Sequence, residues 1–543
     1  MISNILIVIP ARGGSKGIPR KNLRSLAGLP LIYYSINTAL ISKFNPDVFV
    51  TTDDEEIATI SKKAGAKIIE RERELANDAT TLDPVIFDAF EKASKITGKK
   101  YDLIITIQPT SPLLRTATLD DAIEKLLEDD KLDTIISACD DTHLTWSEAD
   151  GKFIPNYKKR LNRQYLIPVF KETGSFLITK TRCVSADKRI GENVSLHLLK
   201  GPEAIDIDTY EDWNLCEFYL KRKKILFVVT GNSLVGLGHA YNALSIANEI
   251  LNHELFFLVD SNSKLAFEKI QEHNYSVMIQ AEQEIQRDII KINPDIVIND
   301  ILDTSVEYMK GLKKQGYKVI NFEDLGKGAQ KADLVINAMY PENEVVPNHF
   351  FGHKYFCLKN EFQLAVQKQI KNKVEFILIS FGGVDPNNYT YKVLKAIYTY
   401  CNSQNIKINV IAGLGYANYD TLLEFEKIQI FRNISDMSSQ ILKSDVVFTS
   451  AGRTTFEIAS IGVPTIVLCQ NQREQTHFFA TTEFGFCNLG IGTQVEANQI
   501  LEVFENLVND FEKRKYISKL MLGQNLKLGK ERVIQLIKNT INQ

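Results

Sequence analysis

The chain has 543 residues, of which 44% are hydrophobic and 24% charged, and its formal net charge is −3. This length predicts two or three domains with separate cores, and the composition is that of an ordinary soluble globular protein. The slightly negative charge argues against a broad nucleic-acid-binding surface, which is usually basic. The sequence contains no run near the ~20 apolar residues that span a bilayer, and its start does not resemble a signal peptide. Seven scattered cysteines fit reduced thiols. We therefore expect a cytoplasmic protein with no nucleic-acid or membrane partner.

Short β-rich runs alternate with amphipathic segments along the chain, and this alternation predicts an α/β fold with mostly parallel sheets. In the first part of the chain the predicted strands are Ile5–Ala11, Asp47–Asp53, Ala66–Glu70, Tyr101–Gln108, Asp133–Ala138 and Ser175–Thr179.

A break near Leu220–Lys224 divides the chain. A helical stretch ends there in a basic run, and a new apolar strand, Ile225–Thr230, opens into a glycine-rich turn, Gly231–Gly238. The chain thus restarts as it began, with a strand, a glycine loop and a helix. We therefore predict domains at residues 1–222 and 223–543.

The second domain is predicted to be bipartite, with lobes at about residues 223–365 and 374–520. Two parallel sheets with a hinge between them leave a cleft, and ligands of such folds bind beyond the carboxyl ends of the strands. The predicted strands are Ile225–Thr230, Leu255–Asp260, Asp295–Asp300, Lys318–Asp324 and Asp333–Ala338, then Phe376–Gly382, Lys407–Ala412, Asp445–Ser450 and Pro464–Cys469.

The densest motif directly follows the first strand and reads Pro10-Ala-Arg-Gly-Gly-Ser-Lys-Gly-Ile-Pro-Arg-Lys-Asn22. Its three glycines let backbone N–H groups approach an anion closely. Positive charge beside them comes from Arg12, Lys16, Arg20 and Lys21. The loop is neither a Walker A motif nor G-x-G-x-x-G, but it predicts a site for a nucleotide triphosphate.

Two aspartates near the end of the first domain, Asp206 and Asp208, stand two residues apart. On an extended segment this spacing points both carboxylates the same way. Magnesium prefers oxygen ligands and is often held by one or two carboxylates together with substrate phosphates. With a phosphate loop in the same domain, the pair predicts a Mg²⁺ site.

Five motifs, in order, resemble the CMP-sialic acid synthetase (acylneuraminate cytidylyltransferase) family over residues 1–220. The resemblance implies a nucleotidyltransferase Rossmann-like domain that transfers CMP from CTP to the anomeric hydroxyl of a nine-carbon sugar acid and releases pyrophosphate. An eight-carbon acid is an alternative substrate. We also expect a homo-oligomer formed through this domain. The motifs are the loop just described, Arg71–Asp78, Gln108–Pro112, Glu172–Phe176 and Asp206–Asp212.

The same resemblance implies a role for each matching residue. The residues at the CTP phosphates and neighbouring groups would be Arg12, Gly13, Ser15, Lys21 and Asn22, with Arg71 at the cytosine. The sugar acid would face Gln108, Thr110 and Ser111, in a pocket closed by Gln164, Glu172 and Gly174. The magnesium would be carried by Asp206 and Asp208, and the catalytic residues would be Arg12, Lys21 and Asp208.

In the second domain, His239 closes a glycine loop at the predicted start of a helix. The field of a helix N-terminus favours the neutral imidazole, which suits a base. Two turns rich in small residues, Ser380–Gly383 and Ser450–Glu457, follow later strands and suit a diphosphate. Glu457 is positioned to accept hydrogen bonds from ribose hydroxyls.

Together these motifs resemble the UDP-sugar hydrolase of pseudaminic acid synthesis, a two-lobed glycosyltransferase B fold, over about residues 224–520. The resemblance implies that His239 activates water and that Asp300 lies near the sugar of a UDP-sugar. Where that family commonly has an arginine, this chain has Asn242. The nucleotide side would be lined by Gly382, Gly383, Ser450, Gly452, Glu457, Asn471 and Gln472.

We therefore interpret the chain as a bifunctional enzyme of nonulosonic acid biosynthesis, with a cytidylyltransferase followed by a hydrolase of a UDP-linked amino sugar. Two alternatives stay open for the second domain. The first alternative is a glycosyltransferase, and the second is a non-catalytic module that binds a nucleotide sugar.

Overall fold

The computed structural model describes residues 4–14, 17–77, 79–232, 235–342, 345–413, 415–432, 434 and 436–542. The chain forms two compact units, Met1–Arg222 and Lys223–Gln543. Both are α/β, as predicted. In the described part of the chain, no helix is long and apolar enough to cross a membrane.

The described residues of the first unit form eleven strands and five α-helices. Its strands are β1 (Ile5–Pro10), β2 (Ser25–Leu26), β3 (Leu29–Pro30), β4 (Asp47–Thr52), β5 (Lys67–Glu70), β6 (Leu103–Ile107), β7 (Thr134–Asp140), β8 (Trp146–Ala149), β9 (Lys152–Pro155), β10 (Phe170–Lys180) and β11 (Val194–Leu198). Its helices are α1 (Leu31–Leu40), α2 (Glu55–Lys63), α3 (Leu82–Thr97), α4 (Thr116–Glu128) and α5 (Tyr210–Lys221).

The main sheet of this unit has the strand order β11-β7-β10-β6-β1-β4-β5. Strand β1 is central, and its alternating side chains enter hydrophobic cores on both faces of the sheet, which explains its unbroken apolar sequence. Parallel pairing brings the carboxyl ends of β1, β4 and β6 to one edge. Strand β10 runs antiparallel, with Phe176 opposite Ile107, so its first half reaches the same edge. The loops at this edge carry the predicted site.

The second unit contains the remaining strands and helices, in two lobes. Its strands are β12 (Lys224–Val229), β13 (Glu254–Val259), β14 (Val277–Ile279), β15 (Ile296–Asp300), β16 (Lys318–Phe322), β17 (Leu334–Asn337), β18 (His349–Phe351), β19 (Phe376–Ile379), β20 (Lys407–Ala412), β21 (Ile428–Arg432), β22 (Val446–Thr449), β23 (Thr465–Cys469) and β24 (Phe486–Ile491). Its helices are α6 (Gly238–Ala247), α7 (Lys264–Glu272), α8 (Ile285–Ile292), α9 (Val306–Lys314), α10 (Asn360–Leu364), α11 (Tyr389–Ser403), α12 (Met437–Lys443), α13 (Thr454–Ile461), α14 (Gln472–Gln475), α15 (Ala497–Asn509), α16 (Phe511–Leu522) and α17 (Gly529–Asn542).

Each lobe of the second unit contains one parallel sheet, with orders β14-β13-β12-β15-β16-β17-β18 and β21-β20-β19-β22-β23-β24. This is the two-lobed arrangement that the sequence predicted. The last helix, α17, extends it, because Val533, Ile534 and Ile537 pack into the core of the first lobe. The chain therefore returns to the first lobe after completing the second.

Candidate functional sites

In the first unit, the loop after β1 is held close to the two aspartates near α5. The Gly13 N–H donates to the carboxylate of Asp53 at 3.1 Å. A Cβ on Gly17 would lie 2.8 Å from the backbone oxygen of Asp208, so a larger residue would push these segments apart. The buried Asn22 amide donates to the Arg12 carbonyl at 3.1 Å and fixes the return of the loop. Ser15 and Lys16 lie outside the described residues.

The cations of this loop have different surroundings. Lys21 Nζ donates to the Ile207 carbonyl at 2.5 Å and lies 3.7 Å from the Asp208 carboxylate. Arg20 instead forms ion pairs with Asp54 and Glu56. Protein carboxylates therefore balance the positive charge of Arg20, which the sequence predicted to lie beside the phosphates. Lys21 therefore joins the predicted phosphate loop to the predicted metal site.

Arg71 is buried next to this loop. Its guanidinium donates to the Thr51 carbonyl at 2.7 Å. Burial lowers the pKa of Arg71, and the nearby Arg12 lowers it further while Asp53 opposes both. The two arginines and Asp53 therefore share one electrostatic environment at the carboxyl end of β4.

Asp206 and Asp208 flank a fully buried Ile207, and helix α5 follows them from a capping box of Thr209 and Asp212. The Asp206 carboxyl is partly buried, whereas the Asp208 side chain is 77% exposed. Burial raises the pKa of Asp206, and the charge of Asp208 adds to this effect. The two carboxylates thus repel each other in a way that a cation would relieve.

The buried Asp206 Oδ1 has no hydrogen-bond partner among the described residues. The described parts of the chain hold no group of three or more His, Cys, Asp or Glu side chains arranged for a metal. Asp206 and Asp208 therefore fit a divalent ion whose other ligands are phosphate oxygens and water, which is how magnesium is commonly held.

The predicted sugar pocket lies beside Asp206. Gly174 has φ +71°, and a Cβ there would lie 3.0 Å from Gln108 Nε2 and 3.7 Å from Asp206 Oδ2. The buried hydroxyls of Thr110 and Ser111 have no hydrogen-bond partner within the described parts of the chain. Thr110 lies next to Asp206, and its hydroxyl opposes the rise in the pKa of that carboxyl. Orphaned buried oxygens of this kind indicate a polar ligand.

The two other residues predicted to close this pocket are exposed to solvent. Gln164 lies on a short 3₁₀ helix, Arg163–Tyr165, and Glu172 lies in β10. The structure brings Gln108 and Thr110 close to Asp206, with Ser111 next to Thr110 in the chain.

In the second unit, His239 is the second residue of α6, close to the predicted start of that helix. Its Nδ1 lies 2.5 Å from Oδ1 of Asp300, the last residue of β15. Asn242 Nδ2 donates to the other Asp300 oxygen at 2.7 Å. Both carboxylate oxygens thus contact protein groups, so Asp300 orients the histidine instead of presenting an unengaged oxygen to a sugar.

Glu323, which the sequence motifs do not single out, is also buried in this cleft. Its φ is +52°, an unusual value for a non-glycine residue, and its carboxylate accepts from the N–H groups of Ala338 and Met339. Burial raises the pKa of Glu323 to about 7, while Arg453 opposes the shift and Asp300 adds to it. Its place directly after β16, at the carboxyl edge, was the signal that could have found it.

Arg473, which was also missed, joins the two lobes. It lies on α14 of the second lobe and forms two 2.9 Å contacts with the carboxylate of Asp303 in the first. It also donates to the Tyr340 hydroxyl at 2.7 Å. These contacts hold the lobes together at one end of the cleft.

The two predicted diphosphate turns of the second lobe differ. Among the described residues, a Cβ on Gly382 or Gly383 would meet nothing within 4 Å, so the turn leaves room for a ligand at these two positions. At the other turn, the buried Ser450 hydroxyl faces Glu474, whose Oε1 would lie 3.6 Å from a Cβ on Gly452. A diphosphate at this second turn would meet the carboxyl group of Glu474. Burial raises the pKa of Glu474.

The three remaining residues expected on the nucleotide side are Glu457, predicted at the ribose, Asn471 and Gln472, and two of them already have protein partners. Glu457 is buried in α13 and pairs with Lys359 at 3.1 Å. Asn471 caps α14 by accepting from the Glu474 N–H at 3.0 Å, and Gln472 is exposed beside it.

A cytidylyltransferase family model matches residues 6–157 of the chain. An uncharacterized protein of Methanocaldococcus jannaschii is 32% identical over 277 residues, which cover 46% of this chain and 57% of that protein. The chain thus spans little more than half the length of that relative. The calicheamicin glycosyltransferase CalG4 is similar in structure over 59% of this chain and 99% of its own, with 13% identity and a TM-score of 0.44.

The CMP-N,N'-diacetyllegionaminic acid synthase of Legionella pneumophila is 32% identical over 224 residues, which cover 39% of this chain and 94% of that protein. Nearly the whole of that relative is therefore matched. This match and the family model agree with the motifs of the first unit, and the chain belongs to the cytidylyltransferase family.

Proposed function

We propose that the first unit transfers CMP from CTP to the anomeric hydroxyl of a nine-carbon sugar acid. The anomeric hydroxyl gives its proton to solvent as its oxygen bonds to the α-phosphorus, the bond from that phosphorus to the bridging oxygen breaks, and pyrophosphate leaves. The observation that carries the proposal is the cluster of unpartnered buried oxygens on Asp206, Thr110 and Ser111 beside the glycine loop. The match to a legionaminic acid synthase supports the choice of substrate class.

The residues of the site have separate tasks in this reaction. Lys21 and Arg12 place positive charge where the phosphates would lie, and Ser111 and Thr110 offer hydroxyls to the sugar acid. Asp206 and Asp208 would hold Mg²⁺, which when bound offsets the negative charge that develops on the phosphate oxygens. The main task is to bring two anions together, and this needs no protein nucleophile.

The test incubates the full chain with CTP, Mg²⁺ and a panel of sugar acids, and measures pyrophosphate release. The panel includes a legionaminic acid derivative and an eight-carbon acid. We expect release with a nine-carbon acid and its loss in Asp208→Asn. The matched control is Asp187→Asn, which removes another exposed carboxylate of this unit. If the eight-carbon acid were the only one turned over, the proposed nine-carbon substrate would be wrong and the alternative substrate would be established.

We propose that the second unit hydrolyses a UDP-linked amino sugar. A water oxygen bonds to C1 of the sugar, the bond from C1 to the phosphate oxygen breaks, and UDP leaves. The proton of the water goes to Nε2 of His239. The supporting observation is the Asp300 carboxylate on Nδ1, which keeps that nitrogen protonated and leaves Nε2 as the acceptor.

UDP release from a panel of UDP-sugars, with and without an acceptor, tests this second proposal. We expect release without acceptor that disappears in His239→Gln and persists in His273→Gln, an exposed histidine of the same lobe. Release that requires an acceptor would instead establish a glycosyltransferase. Binding without turnover, unchanged in His239→Ala, would establish a binding module.

We propose that the chain forms a homo-oligomer through its first unit. The hairpin β8–β9 exposes Trp146, Phe153 and Ile154, which are 53%, 73% and 50% exposed. Trp146 and Phe153 share one face of the hairpin and Ile154 lies on the other. Exposed apolar side chains of this kind indicate a protein contact. Light scattering of the full chain tests this proposal, with a monomer expected for Phe153→Asp. A monomeric wild type would contradict it.

We propose that both activities serve nonulosonic acid biosynthesis in the cytoplasm. All seven cysteines are free thiols, which suits a reducing compartment.

A further inference from the structure

In the second unit, an arginine of the second lobe reaches the residues that orient His239 in the first. Arg453 Nη2 donates to Asn242 Oδ1 at 3.1 Å. The amide nitrogen of Asn242 donates to Asp300 Oδ2 at 2.7 Å, and Asp300 Oδ1 lies 2.5 Å from His239 Nδ1. A continuous hydrogen-bonded chain thus runs from one lobe to the ring of the proposed base in the other.

Several contacts fix the position of the Arg453 side chain. Its guanidinium lies 4.4 Å from the ring centroid of Phe356 and donates to the Cys357 carbonyl at 3.3 Å. A Cβ on Gly238 would come within 3.1 Å of Arg453 Cδ, so a glycine at the start of α6 leaves room for the side chain to pass. Several independent contacts therefore hold the guanidinium against Asn242.

The Asn242 amide has one usable orientation in this chain. Its oxygen must face the guanidinium and its nitrogen must face the carboxylate, because the reverse would oppose donor to donor and acceptor to acceptor. With that orientation fixed, Asp300 is held by Asn242 on one oxygen and by His239 on the other. The ring of His239 is then fixed in direction and in tautomer.

We propose that Arg453 and Asn242 are positioning residues of the second site, which fix the His239–Asp300 pair from the opposite lobe. The inference rests on the proposed function of His239 as a base. The family that the second unit resembles commonly has an arginine at the position of Asn242, and here a guanidinium reaches Asn242 from position 453. The departure at Asn242 is thus part of a different arrangement, in which an arginine is connected through Asn242 to the aspartate that orients the histidine.

This arrangement links the base to the nucleotide side of the cleft. Arg453 immediately precedes α13 and belongs to the same turn as Ser450 and Gly452. A ligand that moves this turn would also move the guanidinium on Asn242. We therefore expect loss of Arg453 to lower kcat more than it raises KM.

The test combines kinetics with a signal that does not depend on turnover. The ring nitrogens of His239 are observed by NMR in the full chain, labelled with ¹⁵N-histidine and assigned by the signal lost in His239→Gln. In the wild type we expect one neutral tautomer with Nδ1 protonated. In Arg453→Met and Asn242→Ala we expect a mixture of tautomers and a fall in UDP-sugar hydrolysis of about tenfold or more.

Two further variants exclude a general effect on folding. Arg432→Met removes a guanidinium that lies 3.9 Å from the ring centroid of Tyr419 in the same lobe, and it should leave the tautomer and turnover unchanged. Arg453→Lys should restore part of the wild-type signal. An unchanged tautomer in Arg453→Met would overturn the proposal even if hydrolysis occurs. A changed tautomer in that variant, with no hydrolysis by the wild type, would uphold the positioning and reject the proposed function.

Discussion

His239 and Asp300 form a buried pair in the second unit, with Nδ1 of the histidine 2.5 Å from Oδ1 of the aspartate. Asp300 is 1% exposed, so water does not compete for its carboxylate. An ionised carboxylate in this position accepts a hydrogen bond from Nδ1–H and leaves Nε2 as the nitrogen that can take up a proton. The proposed hydrolysis by the second unit depends on this relationship.

Replacing Asp300 tests that relationship directly. In Asp300→Asn the ring loses its acceptor on Nδ1 and the preferred tautomer is reversed. We expect UDP-sugar hydrolysis to fall by about 10³-fold or more, while CMP transfer by the first unit is unaffected. Both activities are measured on one preparation, so CMP transfer serves as the control. Wild-type hydrolysis in this variant would contradict the assigned role of Asp300.

We expect Mg²⁺-dependent CMP transfer by the first unit to require Asp206. In Asp206→Asn the unpartnered Oδ1 no longer belongs to a carboxylate that a cation can bind. We expect CMP transfer to fall by about 100-fold or more. Calorimetry with and without Mg²⁺ and CTP should show that these ligands raise the Tm of the wild type and not that of the variant. An equal rise in both proteins would count against the metal assignment.

Gly174→Ala should weaken both the fold and the sugar pocket. The residue has φ +71°, and a Cβ would lie 3.0 Å from Gln108 Nε2. We expect a loss of about 1–3 kcal/mol in the free energy of unfolding and a raised KM for the sugar acid with little change for CTP. Gly98→Ala is the matched control, because Gly98 has φ +68° and a Cβ there would meet no atom of the described residues within 4 Å. If the KM for the sugar acid rose in the control as well, the effect could not be assigned to the position of Gly174 in the sugar pocket.

The Arg473–Asp303 contact between lobes predicts a pH effect on the second unit. Burial opposes ionisation of Asp303, but hydrogen bonds from Arg473 and Leu325 outweigh it and hold the pKa of Asp303 below its ordinary value. The stabilisation is therefore present above the ordinary pKa near 4 and lost as pH falls through the lower folded value.

A double-mutant cycle with Asp303→Asn and Arg473→Met measures that contribution. Both side chains are partly exposed, so we expect a coupling of only about 0.5–1 kcal/mol at pH 7, declining towards pH 3. A coupling that stays constant with pH would contradict the assignment to an ionised pair.

The apolar strands were predictable because unbroken hydrophobic runs bounded by glycine or polar turns have few alternatives to a buried parallel strand. In the three main sheets, strands β11, β14, β18, β21 and β24 were missed, since they lie at sheet edges and are short or half-exposed, with weak patterns. The short hairpins β2–β3 and β8–β9 were missed as well. Helix α17 shows another limit. Its amphipathic sequence predicts a helix but not that Val533 would pack against the first lobe.

Some site residues could likewise be predicted from the sequence, and others could not. The sequence identified His239 and Asp300 separately, and only the fold shows that one orients the other. It did not single out Glu323, because a position directly after β16 is only a weak signal, and the burial and positive φ of this residue become visible only in the fold. Arg20 was expected beside the phosphates, but Asp54 and Glu56 are placed against it by α2, which starts 35 residues later.

The most direct test of the central claim is pyrophosphate release by the full chain from CTP with Mg²⁺ and a nine-carbon sugar acid. We predict one pyrophosphate for each CMP-linked sugar formed, and loss of both products in Asp208→Asn with the fold intact. If every acid in the panel gave no CMP-linked product, or if Asp208→Asn turned over like the wild type, the central claim would be wrong.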